Sequence, residues 1–244
     1  MTASERLIVA LDVAALAQAR RLARQLKGLA RTLKVGSALF TACGPEAVRT
    51  LRALGFDIML DLKFFDIPST GEASCRGAAR QRVSLLTVHA AGGRAMLEAA
   101  VAGARAGAAR AGAPRPKVLA VTVLTSRGDG SGASVRARVL RLAQAALQAG
   151  CDGVVASAQE AAALRRRFGR RLEVVCPGIR PACAAPGAAG RPAHAASRQD
   201  QRRVGTPRDA LARGASRLVI GRPITGARRP RAAAQRILHE MEGV

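Results

Sequence analysis

Eight short apolar segments recur along this chain of 244 residues, and a stretch with helical spacing follows each of them. The segments are apolar throughout, which is typical of parallel strands that helices cover. A doubly wound open sheet would also alternate strands with helices, but eight regular units favour a closed barrel. The pattern therefore predicts an α/β fold, the (β/α)8 or TIM barrel, with strands near residues 7–12, 32–36, 57–63, 85–90, 117–124, 153–157, 173–178 and 217–222.

The chain shows no linker between these units, so we expect a single barrel domain over residues 1–244. An α/β barrel of this length commonly forms one unit. One long irregular stretch, rich in Ala, Pro, Gly and Arg, interrupts the pattern at about 181–200. In a barrel it would be the loop after the seventh strand, on the face where active-site loops lie. The alternative is an insertion without a functional role.

Composition indicates a cytoplasmic protein. Hydrophobic residues make up 49% and charged residues 23% of the chain, and no window reaches the ~18 apolar residues that a membrane span needs. The first residues do not resemble a signal or transit peptide. Five scattered cysteines without a C-x-x-C pair are typical of reduced thiols, and the three histidines have no metal-ligand spacing. We therefore expect no membrane segment and no metal site.

The formal net charge of +24 suggests an attraction to polyanions. Trp and Tyr are absent and only five Phe occur, so the chain offers little surface on which bases stack. The basic residues are also spread over many helical stretches, which favours solvated arginine-rich faces over a dedicated nucleic-acid site. Weak, non-specific and salt-sensitive RNA binding is the most that the charge predicts.

Polar residues follow the predicted strands at their carboxyl ends, where barrels build their active sites. Asp61 and Lys63 are two residues apart on one strand, so a regular pleat would direct them to the same face. A structural ion pair would account for these two charges, but it would not explain why Asp12, Lys34 and Asp66 lie on the same rim. The residues at or near strand ends are Asp12, Lys34, Asp61, Lys63, His89, Thr125 and Arg222.

Lysine is rare in this chain, which gives the two lysines of the rim added weight. Only Lys27, Lys34, Lys63 and Lys117 occur among the 40 basic residues. An amine can release a proton or act as a point charge, and a guanidinium cannot replace it in either role. The predicted eighth strand ends in "VIGRP", where Gly221 and Arg222 suit the phosphate site that barrels commonly form there.

Several motifs occur together in an order that resembles the orotidine 5'-phosphate decarboxylase family in its bacterial form. They are "IVALDV", "LKVGSALF", "DLKFFDIPST", "TVHAAGG", "AVTVLTS", "GVVAS", "PGIR", "DQRRVGTP" and "LVIGRPIT", and they run from residue 7 to about 225. The most specific is D-x-K-x-x-D-I-P-x-T, because sister decarboxylases and synthases share D-x-K-x-x-D without the I-P-x-T ending. The resemblance covers nearly the whole chain.

The resemblance implies a homodimeric TIM barrel with shared active sites that converts orotidine 5'-phosphate to UMP without cofactor or metal. It implies that Lys63 donates the proton to C6 of the pyrimidine. Asp61 flanks Lys63 from the same chain, and Asp66 does so from the neighbouring subunit. Lys34 completes this charged network, and Asp12 binds a ribose hydroxyl.

The resemblance also assigns residues further from C6. Thr70 would reach the partner's site, Thr125 and Ser126 would face the pyrimidine, and the phosphate would be held by Arg180, Gln201, Gly221 and Arg222. Three positions depart from the family pattern. Phe65 stands where histidine is usual, Ser69 where asparagine is usual, and Arg82 near the glycine that normally precedes the fourth strand.

Two other functions stay open at this point. One is a sister barrel enzyme, a decarboxylase or synthase that acts on a sugar phosphate with Mg²⁺, although "DIPST" argues against it. The other is a basic nucleic-acid-associated protein on a barrel that has lost catalysis, which the charge of +24 motivates.

Overall fold

The computed structural model describes residues 1–124, 132–182 and 204–242. Within them, eight parallel strands form a closed barrel in chain order, and the last strand pairs with the first. This confirms the predicted (β/α)8 barrel. The strands are β1 (Leu7–Ala10), β2 (Thr32–Gly36), β3 (Asp57–Phe64), β4 (Leu85–His89), β5 (Lys117–Val121), β6 (Gly153–Val155), β7 (Glu173–Cys176) and β8 (Arg217–Ile220).

Helices cover the outside of the barrel. Short 3-10 turns at Ala90–Gly92 and Gly169–Arg171 accompany them. Within the described ranges, no helix has both the length and the apolar character needed to cross a membrane. The α-helices are α1 (Ala3–Arg6), α2 (Leu16–Leu26), α3 (Ser37–Cys43), α4 (Pro45–Ala53), α5 (Pro68–Arg80), α6 (Gly93–Arg110), α7 (Gly132–Gln148), α8 (Ala158–Phe168), α9 (Pro207–Ala212), α10 (Arg222–Thr225) and α11 (Pro230–Glu242).

Five strands, β1, β5, β6, β7 and β8, end two or three residues before their predicted ends, and the end of β8 changes the position of a predicted site residue. β8 stops at Ile220, so Arg222 is the first residue of the short helix α10 and not the end of a strand. Pro223 explains the difference, because proline has no N–H for a neighbouring strand and its fixed φ suits the first turn of a helix. The irregular loop predicted at about 181–200 lies, from residue 183 onward, outside the described residues.

Most of the side chains inside the barrel below its carboxyl-terminal mouth are apolar. Ile8, Ala10, Met59, Leu85, Leu119, Val175 and Val219 form a buried cluster of their own, separate from the layer between strands and helices. Because side chains alternate along a strand, residues two positions further on share the same face. That step leads from Ala10 to Asp12, from Met59 to Asp61, and from Leu85 to Thr87. Polar side chains therefore lie directly above the apolar interior.

Helices α5 and α6 pack unusually closely, and two glycines allow it. A Cβ atom on Gly103 would lie 2.1 Å from the carbonyl oxygen of Glu72, and one on Gly107 would lie 2.2 Å from that of Arg76. No side chain fits at such distances, so α6 supports the backbone of α5 directly. Since α5 begins at Pro68, this contact supports the helix in which the "DLKFFDIPST" segment ends.

The amino-terminal end of the barrel is tied together by ion pairs. Glu173 at the start of β7 binds both Lys117 of β5 and Arg217 of β8, with oxygen–nitrogen distances of 2.5 Å each. A cavity of about 600 Å³ lies beside them, lined among others by Arg6 and Arg165. This end carries structural ion pairs that join strands, and it is opposite the predicted functional rim.

Candidate active site

Four charged side chains of alternating sign meet at the carboxyl-terminal mouth. Lys34 Nζ lies 2.8 Å from Asp12 Oδ1 and 3.3 Å from Asp61 Oδ2. Lys63 Nζ lies 3.0 Å from Asp61 Oδ1. We call these four residues the charged array. Strand register produces it, because Ala10 pairs with Lys34 and Gly36 with Asp61 on neighbouring strands.

The array is buried in its middle and open at its ends. The Lys34 and Asp61 side chains are 10% and 11% exposed, whereas those of Lys63 and Asp12 are 38% and 60% exposed. Because the buried pair is held away from water, the electrostatic interaction between its charges is only weakly screened. Lys63 is thus held by a buried carboxylate and still reaches the solvent side, where a substrate can meet it.

The two buried charges stabilise one another. Burial alone would lower the pKa of the Lys34 ammonium, but the carboxylates of Asp61 and Asp12 outweigh it and raise the pKa above its usual value. Burial alone would raise the pKa of the Asp61 carboxyl, but the ammonium groups of Lys34 and Lys63 outweigh it and lower that pKa. Both groups are therefore charged at neutral pH.

The backbone of β3 is not regular at Lys63. Lys63 has φ +51°, in the left-handed region that side-chain-bearing residues rarely adopt. Between the pairs Leu60–Leu86 and Phe64–Val88, β3 has two more residues than β4, so the register shifts there. The predicted contact between Asp61 and Lys63 is present, but it arises at this bulge and not from an uninterrupted pleat.

Two residues of the site were not predicted from the sequence. Thr87 is fully buried in β4, and its hydroxyl accepts the Lys63 N–H and donates to Asp61 Oδ1, both at 3.0 Å. Gly36 ends β2, where a Cβ would lie 3.1 Å from Lys34 Nζ and 3.3 Å from Asp12 Oδ1. The available signal for Thr87 was its place two residues after inward-facing Leu85.

The segment after Lys63 is exposed from Phe65 to Thr70. Asp66 and Thr70 are exposed, and no ion pair within the described residues joins Asp66 to a lysine. The Asp66 carboxylate instead accepts the N–H of Ile67 at 2.7 Å. Phe65 and Ile67, 61% and 64% exposed, flank it. The ring of Phe65 also packs 5.5 Å from that of His89, at the end of β4.

The residues predicted to hold phosphate lie on the β8 side of the mouth, as far as they are described. A Cβ on Gly221 would lie 3.5 Å from Asp12 Oδ2, so the end of β8 borders the array. Arg222 is exposed at the start of α10. Arg180 is exposed too, and its N–H donates to the Gly205 carbonyl at 3.0 Å. Predicted Thr125, Ser126 and Gln201 lie outside the described residues.

Chemically, the array offers the Lys63 ammonium on the solvent-facing side of a buried pair of opposite charges. Such an ammonium can stabilise negative charge that develops on a substrate and then donate a proton to it. Among the residues that the structure describes, no three His, Cys, Asp or Glu side chains are grouped as a metal site would require.

Comparisons with known proteins identify the family of this chain. The family model "Orotidine 5'-phosphate decarboxylase / HUMPS family" matches residues 5–237. An orotidine 5'-phosphate decarboxylase of Moorella thermoacetica is 46% identical, covering 100% of this chain and 95% of its own, and one of Halorhodospira halophila is 48% identical, covering 97% and 95%. The crystal structure of the Lactobacillus acidophilus enzyme superimposes with a TM-score of 0.81 at 35% identity, covering 97% of this chain and 99% of its own. The chain belongs to the orotidine 5'-phosphate decarboxylase / HUMPS family.

Proposed function

We propose that this protein is a cytoplasmic decarboxylase that converts orotidine 5'-phosphate to UMP in pyrimidine biosynthesis, with no cofactor. The observation that carries the proposal is the charged array at the mouth of a barrel of this family. Lys63 Nζ, 3.0 Å from Asp61, reaches the surface of the mouth, where it donates the proton that replaces CO₂ at C6.

The chemistry explains why fixed charges suit this reaction. Loss of CO₂ from orotate leaves a carbanion at C6 with little resonance stabilisation. Preorganised positive charge beside that carbon lowers the barrier, since it costs no reorganisation when the charge develops. Buried Lys34, whose Nζ lies 3.3 Å from Asp61 Oδ2, restrains the Asp61 carboxylate, and Asp61 in turn restrains the Lys63 ammonium. The same ammonium then neutralises the carbanion by proton transfer.

Asp61 also acts on the substrate before CO₂ leaves. Its carboxylate stays ionised, because Lys34 and Lys63 hold its pKa below the usual value. A substrate carboxylate placed beside Lys63 therefore meets a second negative charge that cannot be relieved by protonation. Repulsion of this kind is released as CO₂ departs.

The phosphate of the substrate would bind at Gly221, Arg222 and Arg180. Gln201, which lies outside the described residues, would also contact the phosphate. Asp12 would bind a ribose hydroxyl between phosphate and base, which its 60% exposure and its position next to Gly221 support. Thr125 and Ser126, which follow β5, would face the pyrimidine. Binding energy from the phosphate end then positions the ring for the step at C6.

The active sites would be shared between two subunits of a homodimer. Asp66 and Thr70 are exposed, no ion pair within the described residues joins Asp66 to a lysine, and exposed Phe65 and Ile67 flank Asp66 with apolar surface. Burial of these side chains against a second copy would bring Asp66 to the partner's Lys63. Mixing Lys63→Ala with Asp66→Ala protein tests this, because exchange of subunits should restore about a quarter of the wild-type activity through one intact site per mixed dimer.

We also propose weak binding of RNA, supported by the net charge of +24 alone. Binding of this origin depends on phosphate contacts, so its affinity falls steeply with salt and ignores base sequence. Fluorescence anisotropy with two unrelated RNAs at about 50 and 200 mM salt tests it, since equal and salt-sensitive affinities are expected.

The decarboxylase proposal is tested by following the orotate absorbance band during incubation with orotidine 5'-phosphate and EDTA. The chain has neither Trp nor Tyr, which leaves the ultraviolet region clear. We expect turnover that EDTA does not reduce. Turnover of a sugar phosphate that requires Mg²⁺, with none of orotidine 5'-phosphate, would assign the protein to the sister enzymes. No turnover of either substrate would refute the proposal in favour of a non-catalytic barrel.

A further inference from the structure

We propose that Thr87 is a positioning residue for the charged array. Its single hydroxyl sets both the left-handed backbone of Lys63 and the orientation of the Asp61 carboxylate. The inference rests on the proposed function, in which Lys63 donates the proton. Thr87 lies in β4, next to β3, and is 0% exposed, so it does not itself meet the substrate.

The direction of each hydrogen bond follows from the groups involved. The Lys63 N–H can only donate, so Thr87 Oγ1 accepts it at 3.0 Å. The ionised Asp61 carboxylate can only accept, so the hydroxyl proton of Thr87 goes to Oδ1, also at 3.0 Å. Backbone amide, hydroxyl and carboxylate therefore form one directed chain of hydrogen bonds, and the hydroxyl proton has no competing orientation.

The first of these bonds acts on the Lys63 backbone. Lys63 has φ +51° in a position where β3 carries two residues more than β4. A lysine adopts this conformation only when its surroundings hold it there. Thr87 supplies a fixed acceptor for the amide at the bulge, and the fixed amide determines where the Lys63 side chain begins.

The second bond acts on the carboxylate. Asp61 Oδ1 receives Thr87 and the Lys63 ammonium, each at 3.0 Å, while Oδ2 faces Lys34 at 3.3 Å. Rotation of the carboxylate would break at least one of these contacts. Thr87 therefore selects the rotamer in which one oxygen serves each lysine, and it does so without adding charge.

Thr87→Val tests the inference, since valine keeps the shape and removes the hydroxyl. We expect kcat to fall about ten- to a hundredfold, because a buried carboxylate and a buried amide each lose a partner. KM should stay within about twofold, because no substrate contact is removed. Thr87→Ser should restore kcat to within about threefold, since it returns the hydroxyl.

The matched control is Thr122→Val. Thr122, after β5, is also buried, and its hydroxyl donates to the Val155 carbonyl at 2.9 Å without touching the array. Its loss should lower the melting temperature and leave kcat unchanged. An equal loss of kcat in both valine variants, or an unchanged kcat in Thr87→Val, would overturn the inference.

A crystal structure of Thr87→Val tests the positioning independently of activity. We expect Lys63 to leave the left-handed region, or the Lys63 Nζ to Asp61 Oδ1 distance to exceed the present 3.0 Å by more than coordinate error. An array unchanged in that structure would refute the role of Thr87. Absence of turnover in the wild type would instead refute the proposed function, and the structure of the variant would still decide the role of Thr87.

Discussion

The buried pair of Lys34 and Asp61 gives the sharpest prediction on stability. Their charged atoms lie 3.3 Å apart, and both side chains are about nine-tenths removed from solvent. At an effective dielectric constant of about 20, unit charges at this distance attract by about 5 kcal/mol before desolvation is subtracted. Removing one partner leaves the other buried charge with a single, more exposed partner, Asp12 for Lys34 or Lys63 for Asp61. We therefore expect Lys34→Met and Asp61→Asn each to destabilise the fold by no more than the about 3 to 5 kcal/mol of a fully broken buried pair.

The double variant should be far less unstable than the two single variants suggest. With both charges gone, neither is left uncompensated, so the double variant should fall short of the sum by about 2 to 3 kcal/mol. Urea unfolding followed by far-ultraviolet circular dichroism at fixed protein concentration measures this, since the chain has no Trp for fluorescence.

The control is the exposed pair Arg94 and Glu98 on α6, whose atoms are 2.6 Å apart but whose side chains are 70% and 46% exposed. Their coupling should not exceed the error of the measurement, because water screens exposed pairs. Strictly additive effects of Lys34→Met and Asp61→Asn would show that the array stores no coupling energy. That result would refute the account of how Asp61 holds Lys63.

Three further predictions follow from single residues. Because its lysine neighbours lower the pKa of Asp61, its stabilising effect is present above the unfolded-state pKa of about 4 and disappears as pH falls through the lower folded-state pKa, so the stabilities of wild type and Asp61→Asn should converge as the pH is lowered, as urea unfolding over a pH series would show. Arg82 has φ +58°, so Arg82→Gly should stabilise the fold by at most about 1 kcal/mol, since loss of its bond to the Ala111 carbonyl offsets part of the relieved strain, whereas Arg80→Gly in α5 should destabilise it, both measured by urea unfolding. Gly36→Ala would place a methyl group 3.1 Å from Lys34 Nζ, so kcat should fall at least about tenfold while the melting temperature changes by a few degrees at most.

Much of the barrel was predictable because its strands are nearly uniform apolar runs. All eight strands lie within the predicted segments or extend them by a residue at most, since burial on both faces leaves little choice of residue type. Strand ends were less certain. The end of β8 was placed too late, because Gly221 and Arg222 are compatible with a strand until the effect of Pro223 is considered.

The site was predictable in its charges and not in its local geometry. Asp12, Lys34, Asp61 and Lys63 were identified by position, and the strand register brings them together. The left-handed φ of Lys63 depends on how β3 pairs with β4, which is a property of two segments and not of one. Thr87 was missed for the same reason, because its hydroxyl matters only once the bulge places the Lys63 amide opposite it.

Near the start of the fourth strand, in contrast, the sequence did point to an unusual local backbone geometry. The resemblance indicated that Arg82 lies near the glycine that normally precedes this strand, and the structure shows a positive φ at Arg82, the conformation that glycine adopts most easily. The Arg82 guanidinium donates to the Ala111 carbonyl at 2.8 Å, which supports the strained residue from outside.

Lys63→Ala provides the most direct test of the central claim, with the exposed Lys27→Ala as its control. Both variants should fold, because Lys63 lies at the open end of the array and Lys27 at the end of α2. The account predicts that turnover of orotidine 5'-phosphate falls by at least about a thousandfold in Lys63→Ala and is unchanged in Lys27→Ala, since the group that stabilises and protonates the carbanion is gone. Turnover retained in Lys63→Ala would contradict it.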